Sequence, residues 1–207
     1  MQGRRKILPA LLHKFIENGV FKMNSKFKKL VLSALFAALT AAGCFIIIPL
    51  PGGIPIVIQD MMAMLSGLVL GPLYGTISVA VFLVLGAIGL PVFSGKAGLH
   101  VLTSGPSCGF LIGYMVGAFV GGMILSILLK RDEEHSNSRQ YVSIFIAALA
   151  ATVTVFLLGI LGFMHVTGKS FTESIPFIVL PFIPGNTIKL VLMVFLTKKL
   201  RRTVMLG

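Results

Sequence analysis

The feature that most constrains this chain is a succession of apolar runs, each near the length that crosses a bilayer and each closed by proline, glycine or charge. They cover residues 30–48, 56–70, 73–90, 107–129, 141–165 and 175–196. A spanning helix needs about 20 mostly apolar residues, and the second run is the shortest. Pro49-Leu-Pro-Gly-Gly-Ile-Pro55 ends the first run, because prolines lack the amide donor and glycines favour turns. Gly71-Pro72 divides the second run from the third, and the glycine-rich stretch 91–106 is not a regular helix throughout. Only 12% of the 207 residues are charged and 56% are hydrophobic, whereas an ordinary soluble domain is about 25% charged. A soluble core of this size cannot bury so much apolar surface. The expected fold is therefore an all-α integral membrane protein with six transmembrane helices.

The charges orient it. The net charge is +12, a balance that in a soluble chain would suggest nucleic acid. Here 15 of the 18 basic residues fall in the N-terminal tail, in the loop 130–140 and in the C-terminal tail. Six spans put those three segments on one side, which the positive-inside rule makes cytoplasmic, and no nucleic-acid partner is expected. The exceptions are Lys96, Lys169 and Lys189. Met23-Asn-Ser-Lys-Phe-Lys-Lys29 would make a natural start of its own. The residues before the membrane domain, 1–25, thus read as a basic extension, the domain as 26–202, and 203–207 as a tail. Cys44 and Cys108 lie in apolar runs without metal-like spacing and read as small apolar residues. No CxxC, HExxH or Walker-type loop occurs, so no metal or cofactor is expected.

In this topology the Pro/Gly-rich stretches 49–55, 91–106 and 181–186 all fall toward the outer side. Irregular backbone at membrane depth survives only when buried in protein or lining a cavity, which predicts an outward-facing pocket roofed by loops. Lys189 lies in the last apolar run, where a lysine costs about 2.5–3.5 kcal/mol on insertion scales. It either snorkels to the headgroups or serves a pocket. Asn186 precedes it by three residues and shares its helix face. Gln59-Asp60 opens the second run, and Asp60 is the acid that falls within a predicted span. It suits a helix N-terminus, and it could also pair with Lys189. Lys96, in Gly95-Lys-Ala-Gly98, is either a solvated loop lysine or a carboxylate receptor. Ala34/Ala38, Ala37/Ala41 and Ala38/Ala42 are small residues four apart, a spacing that lets helices approach closely.

Six segments in order resemble the BioY family, the substrate-binding subunits of biotin transporters of the energy-coupling factor class. They are Ala34-Leu-Phe-Ala-Ala-Leu-Thr40, Pro55-Ile-Val-Ile-Gln59, Leu65-Ser-Gly-Leu-Val-Leu-Gly-Pro72, Leu85-Gly-Ala-Ile-Gly-Leu-Pro-Val-Phe93, Gly105-Pro-Ser-Cys-Gly-Phe-Leu-Ile-Gly113 and Pro181-Phe-Ile-Pro-Gly-Asn-Thr-Ile-Lys189. The resemblance implies a membrane-embedded subunit of a bacterial plasma membrane that binds biotin outside. It implies partnership with a transmembrane coupling protein and two cytoplasmic ATPases, and it makes Ala34 and Ala38 the partner-facing residues. It also implies that this chain is not an enzyme, since ATP hydrolysis belongs to the partners. In the family pattern Pro-Gly-Asp-x-x-Lys, Asn186 stands where aspartate is usual, and Asp60 could supply the missing charge. Biotin's polar groups would be served by Gln59, Asn186, Lys189 and Asp60, its apolar body by Phe93 and its carboxylate by Lys96. The alternatives are the same architecture for another small vitamin, suggested by Asn186, and a membrane-embedded enzyme, for which acids and ligand-spaced companions are too few.

Overall fold

A computed structural model of the chain describes residues 24–48, 56–129 and 136–206. The expected N-terminal extension except its last two residues, Asn24 and Ser25, the proline-rich break at 49–55 and most of the charged loop lie outside the described residues.

Helix α1, Ser25–Ala42, opens where the Asn24 side chain accepts from the Lys26 amide at 3.2 Å, which satisfies one orphan donor of the first turn. Its buried residues Ser33, Phe36, Ala37 and Thr40 follow helical spacing, and that stripe packs on the next two long helices. Leu30, Val31, Leu35 and Leu39 remain exposed on the other side. A helix apolar all round belongs in lipid or within a large protein. A 3-10 turn, Gly43–Phe45, leads to a short antiparallel ladder in which Ile47 faces Val57 and Ile48 faces Ile56. This ladder (β1 Ile47–Ile48, β2 Ile56–Val57) is the one departure from the expected all-helical fold among the described residues.

Helix α2, Gln59–Leu70, is the pillar of the bundle, with every residue buried except Met62. Gly71 then takes φ +87°, a left-handed conformation that glycine adopts without a Cβ penalty, and Pro72 starts α3, Pro72–Ala87. A short helix α4, Leu99–Ser104, interrupts the glycine-rich stretch before α5, Cys108–Leu128, and α6, Asn137–Thr167. The polypeptide leaves α6 through Gly168 in the left-handed region. Among the described residues, four segments are long and apolar enough to cross a membrane: Lys26–Phe45, Cys108–Leu128, Asn137–Thr167 and Phe171–Arg202. Helices α2 and α3 are apolar but shorter, at 12 and 16 residues, or about 18 and 24 Å at 1.5 Å per residue.

The last expected span, 175–196, is built differently. Helix α7, Phe171–Ile178, starts with a reciprocal capping box between Ser170 and Glu173. A 3-10 turn, Leu180–Phe182, carries Pro181, and only then does α8, Ile183–Leu206, begin. Pro176 and Pro181 cannot donate to a continuous ladder, so the helix is reset. Lys189 therefore sits in the second turn of α8.

Glycine lets the central helices touch. A Cβ at Gly67 of α2 would overlap the Ala118 carbonyl of α5, and one at Gly75 of α3 would overlap the Gly67 backbone. These small residues give the backbone contact that stands in for a hydrophobic driving force in lipid.

Candidate functional site

The hairpin-like turn after α3 positions one wall of a cavity. Ser94 and Gly95 both have positive φ, at 51° and 81°, the pattern of a tight two-residue turn. Phe93 and Lys96 exchange backbone hydrogen bonds across it, both at 3.0 Å. The turn folds back so far that the Phe93 ring fills the space over Gly86, where a Cβ would clash with it. Phe93 meets Phe82 edge-on with centroids 5.6 Å apart. From the other side Gln59, 1% exposed, donates from Nε2 to the Val92 carbonyl at 2.8 Å, tying the start of α2 to this turn.

Phe110 and Tyr114, four apart on α5, form a second wall with Phe156 of α6 and Phe182 of the 3-10 turn. Phe110 stacks on Phe182 at 6.5 Å, and Phe156 meets both rings edge-on. The polar part of the wall comes from Gln59, Asp60, Ser94 and Ser107.

Lys189 reaches this wall from behind. Its Nζ donates to both carboxylate oxygens of Asp60 at 2.8 Å and to the Val57 carbonyl at 2.6 Å. The lysine is 6% exposed and the aspartate 7%. All three donor positions of the ammonium are therefore occupied, and the snorkelling alternative does not describe this lysine. Asp60 also accepts the Met61 amide at 2.7 Å in the first turn of α2. The two readings of Asp60, helix-terminal carboxylate and partner of Lys189, hold together.

Of the residues named from sequence, Gln59, Asp60 and Phe93 line the cavity, and Lys189 joins it through Asp60. Asn186 is half-buried one turn before Lys189 and outside the lining, and Lys96 is exposed. Ala34 and Ala38 are exposed on α1 with Ala42, whereas Ala37 is buried. The alanines thus divide between an inward and an outward face. Phe110, Tyr114, Phe156 and Phe182 were not singled out in the sequence. The available signal was Phe110 and Tyr114 at a four-residue spacing directly after the Gly105–Gly109 turn.

That turn, Gly105-Pro-Ser-Cys-Gly109, also has the letters of a hydrolase nucleophile elbow. Such an elbow needs a strand before the serine and a histidine base within reach. Ser107 stands between α4 and α5, and among the described residues no histidine lines the cavity. The cavity is suited to holding a small molecule that is apolar in its body and hydrogen-bonds at its edge.

The model of the BioY family matches residues 18–205. The chain belongs to the BioY family. Relatives in the family include the biotin transporter BioY of Rhizobium etli, 38% identical over 187 residues that cover 87% of this chain and 94% of that one. The biotin transporter BioY of Thermotoga maritima is 34% identical, over 84% of this chain and 96% of that one. Among solved structures, the fold is similar to the crystal structure of the S-component for biotin from an ECF-type ABC transporter. That similarity has a TM-score of 0.75 and 32% identity, and covers 88% of this chain and 95% of that one. In this BioY-family chain Gln59, Phe93, Phe110, Phe182 and Lys189 lie in segments that carried the resemblance in the sequence, whereas Asp60, Tyr114 and Phe156 lie outside them.

Proposed function

We propose that the chain is the substrate-capture subunit of a biotin uptake transporter, working in a bacterial plasma membrane with a transmembrane coupling protein and two cytoplasmic ATPases. The observation that carries the reading is the junction of an aromatic cavity with a buried carboxylate–ammonium pair. Biotin combines a fused ring body with a ureido group that both donates and accepts. Phe93, Phe110, Phe156 and Tyr114 suit the body. The Asp60 carboxylate suits a ureido NH, and the Gln59 amide suits either partner. With Asn186 outside the wall, Asp60 is the carboxylate available to the ligand from this end. Lys96, exposed beyond Ser94, is the candidate for the valerate carboxylate.

The cavity measures about 30 Å³, far below the roughly 300–1,000 Å³ of ordinary small-molecule sites. Biotin therefore enters with displacement of lining side chains. The pocket is read as opening outward, six helices as crossing the membrane, and both termini as cytoplasmic. Helices α2 and α3 cross short because the loops beyond them fill the outer part of the membrane depth. The decisive experiment is equilibrium binding of labelled biotin to the purified protein, with other small vitamins as competitors. The reading expects saturable binding at one site that only biotin and its close analogues displace. Binding of a different vitamin in its place would transfer the function to that ligand.

A further inference from the structure

At the other end of α2 from the Lys189–Asp60 pair lies a second cavity, of about 290 Å³. Leu70, Leu129 and Val204 give it apolar walls, and Lys29 and Arg201 bring two cationic side chains to the lining. Its remaining side is the joint Gly71–Tyr74, where α3 begins. That helix starts with no side-chain cap and no acid in its first turn. The amides of its first turn have no intrahelical acceptor, and the helix dipole is positive there. No acid lines the cavity among the described residues. Lys29 is held in place over the Tyr74 ring at 5.4 Å, and the Ser33 hydroxyl ties α1 to α3 through the Tyr74 carbonyl at 2.9 Å. The cavity is thus an apolar slot with a positive end, formed by five separate helix ends.

Its position selects the occupant. The start of α1 and the end of α8 meet here, bringing Lys26, Lys28, Lys198, Lys199 and Arg202 to the same end of the bundle. That concentration marks the cytoplasmic face, where the leaflet carries anionic lipid and attracts basic residues by about 1 kcal/mol each. We propose that this cavity binds an anionic phospholipid of the cytoplasmic leaflet. The phosphate lies against Lys29, Arg201 and the α3 amides, and the glycerol end of the acyl chains lies against Leu70, Leu129 and Val204. Free phosphate would use the positive end and leave the apolar walls uncovered.

The test is native mass spectrometry of the full-length protein released from detergent with phosphatidylglycerol or phosphatidylcholine at matched ratios. Phosphatidylglycerol should be retained at one per protein and phosphatidylcholine should not, and millimolar inorganic phosphate should not displace it. Lys29→Gln and Arg201→Gln should each weaken retention about fivefold and together about 25-fold, with both proteins still monodisperse. If the double variant does not stay monodisperse, the two single variants carry the comparison. Equal retention of the two lipids would overturn the proposal, as would unaltered retention in the variants or displacement by phosphate. Variants that keep their lipid but no longer co-purify with a coupling protein would make the cavity a protein-docking site, and that result also overturns it.

Discussion

Lys189 gives all three of its donors to groups on other elements, two to the Asp60 carboxylate and one to the Val57 carbonyl. Removing one partner of a buried pair leaves the other charge uncompensated, at a cost of about 3–5 kcal/mol, whereas replacing both by apolar groups is often neutral. Asp60→Leu and Lys189→Met should therefore each lower the thermal unfolding midpoint in detergent sharply. The double variant should melt above either single one yet bind no biotin, separating the pair's role in stability from its role in binding. Differential scanning fluorimetry and a binding assay on the same samples check this. Gln59→Ala should weaken biotin binding severalfold, because it removes a cavity-lining amide and the 2.8 Å tether to Val92 together. Both charges of the pair were legible in the sequence, because an ion within an apolar run is costly and must have a reason. Asn186 was assigned from the helix face it shares with Lys189, and Lys96 from its glycine-rich loop. Three residues on a helix also mean a rise of about 4.5 Å, and that step takes Asn186 out of the cavity wall. The aromatic wall was not legible: a phenylalanine in an apolar run looks the same whether it faces lipid, core or ligand.

Among the elements, the breaks in hydropathy placed most boundaries well. Gly71-Pro72 separates α2 from α3 as its chemistry requires, and the stretch 91–106 holds only the short α4. The reset before α8 was hidden because 175–196 remains apolar across Pro176 and Pro181, and hydropathy does not register a missing amide. Close helix contact depends on glycines whose neighbours are set by tertiary packing, so their role appears only in the structure. Gly67→Val should be more damaging than an ordinary core change, because the new side chain meets the Ala118 backbone. Overpacking typically costs about 1–3 kcal/mol even where side chains can shift, so the variant should lose most of its folded yield in size-exclusion chromatography. Helix α1 predicts the opposite behaviour. Ala34→Trp with Ala38→Trp enlarges only the exposed face, so stability and biotin binding of the isolated subunit should be unchanged while uptake with the partner module falls. Loss of binding in the isolated subunit would remove that face from the partner interface.

At the scale of the molecule, α2 joins the two ends of the bundle. Its first turn holds the carboxylate of the candidate site and its last turn lines the basic cavity at the other end. The family and the membrane character were readable from ordered motifs, from low charge and from the clustering of basic residues at three points. The depth and size of the candidate site were not, since they depend on how far the Phe93 turn folds over α3 and on where α8 restarts. The central claim is that the aromatic cavity bounded by the Lys189–Asp60 pair is where biotin binds. Isothermal titration of biotin into the purified protein and into Lys189→Ala tests it most directly. The account predicts one site per chain in the natural protein and a dissociation constant raised at least about tenfold in the variant, equivalent to about 1.4 kcal/mol. A monodisperse Lys189→Ala protein that binds biotin with an unchanged dissociation constant would contradict it.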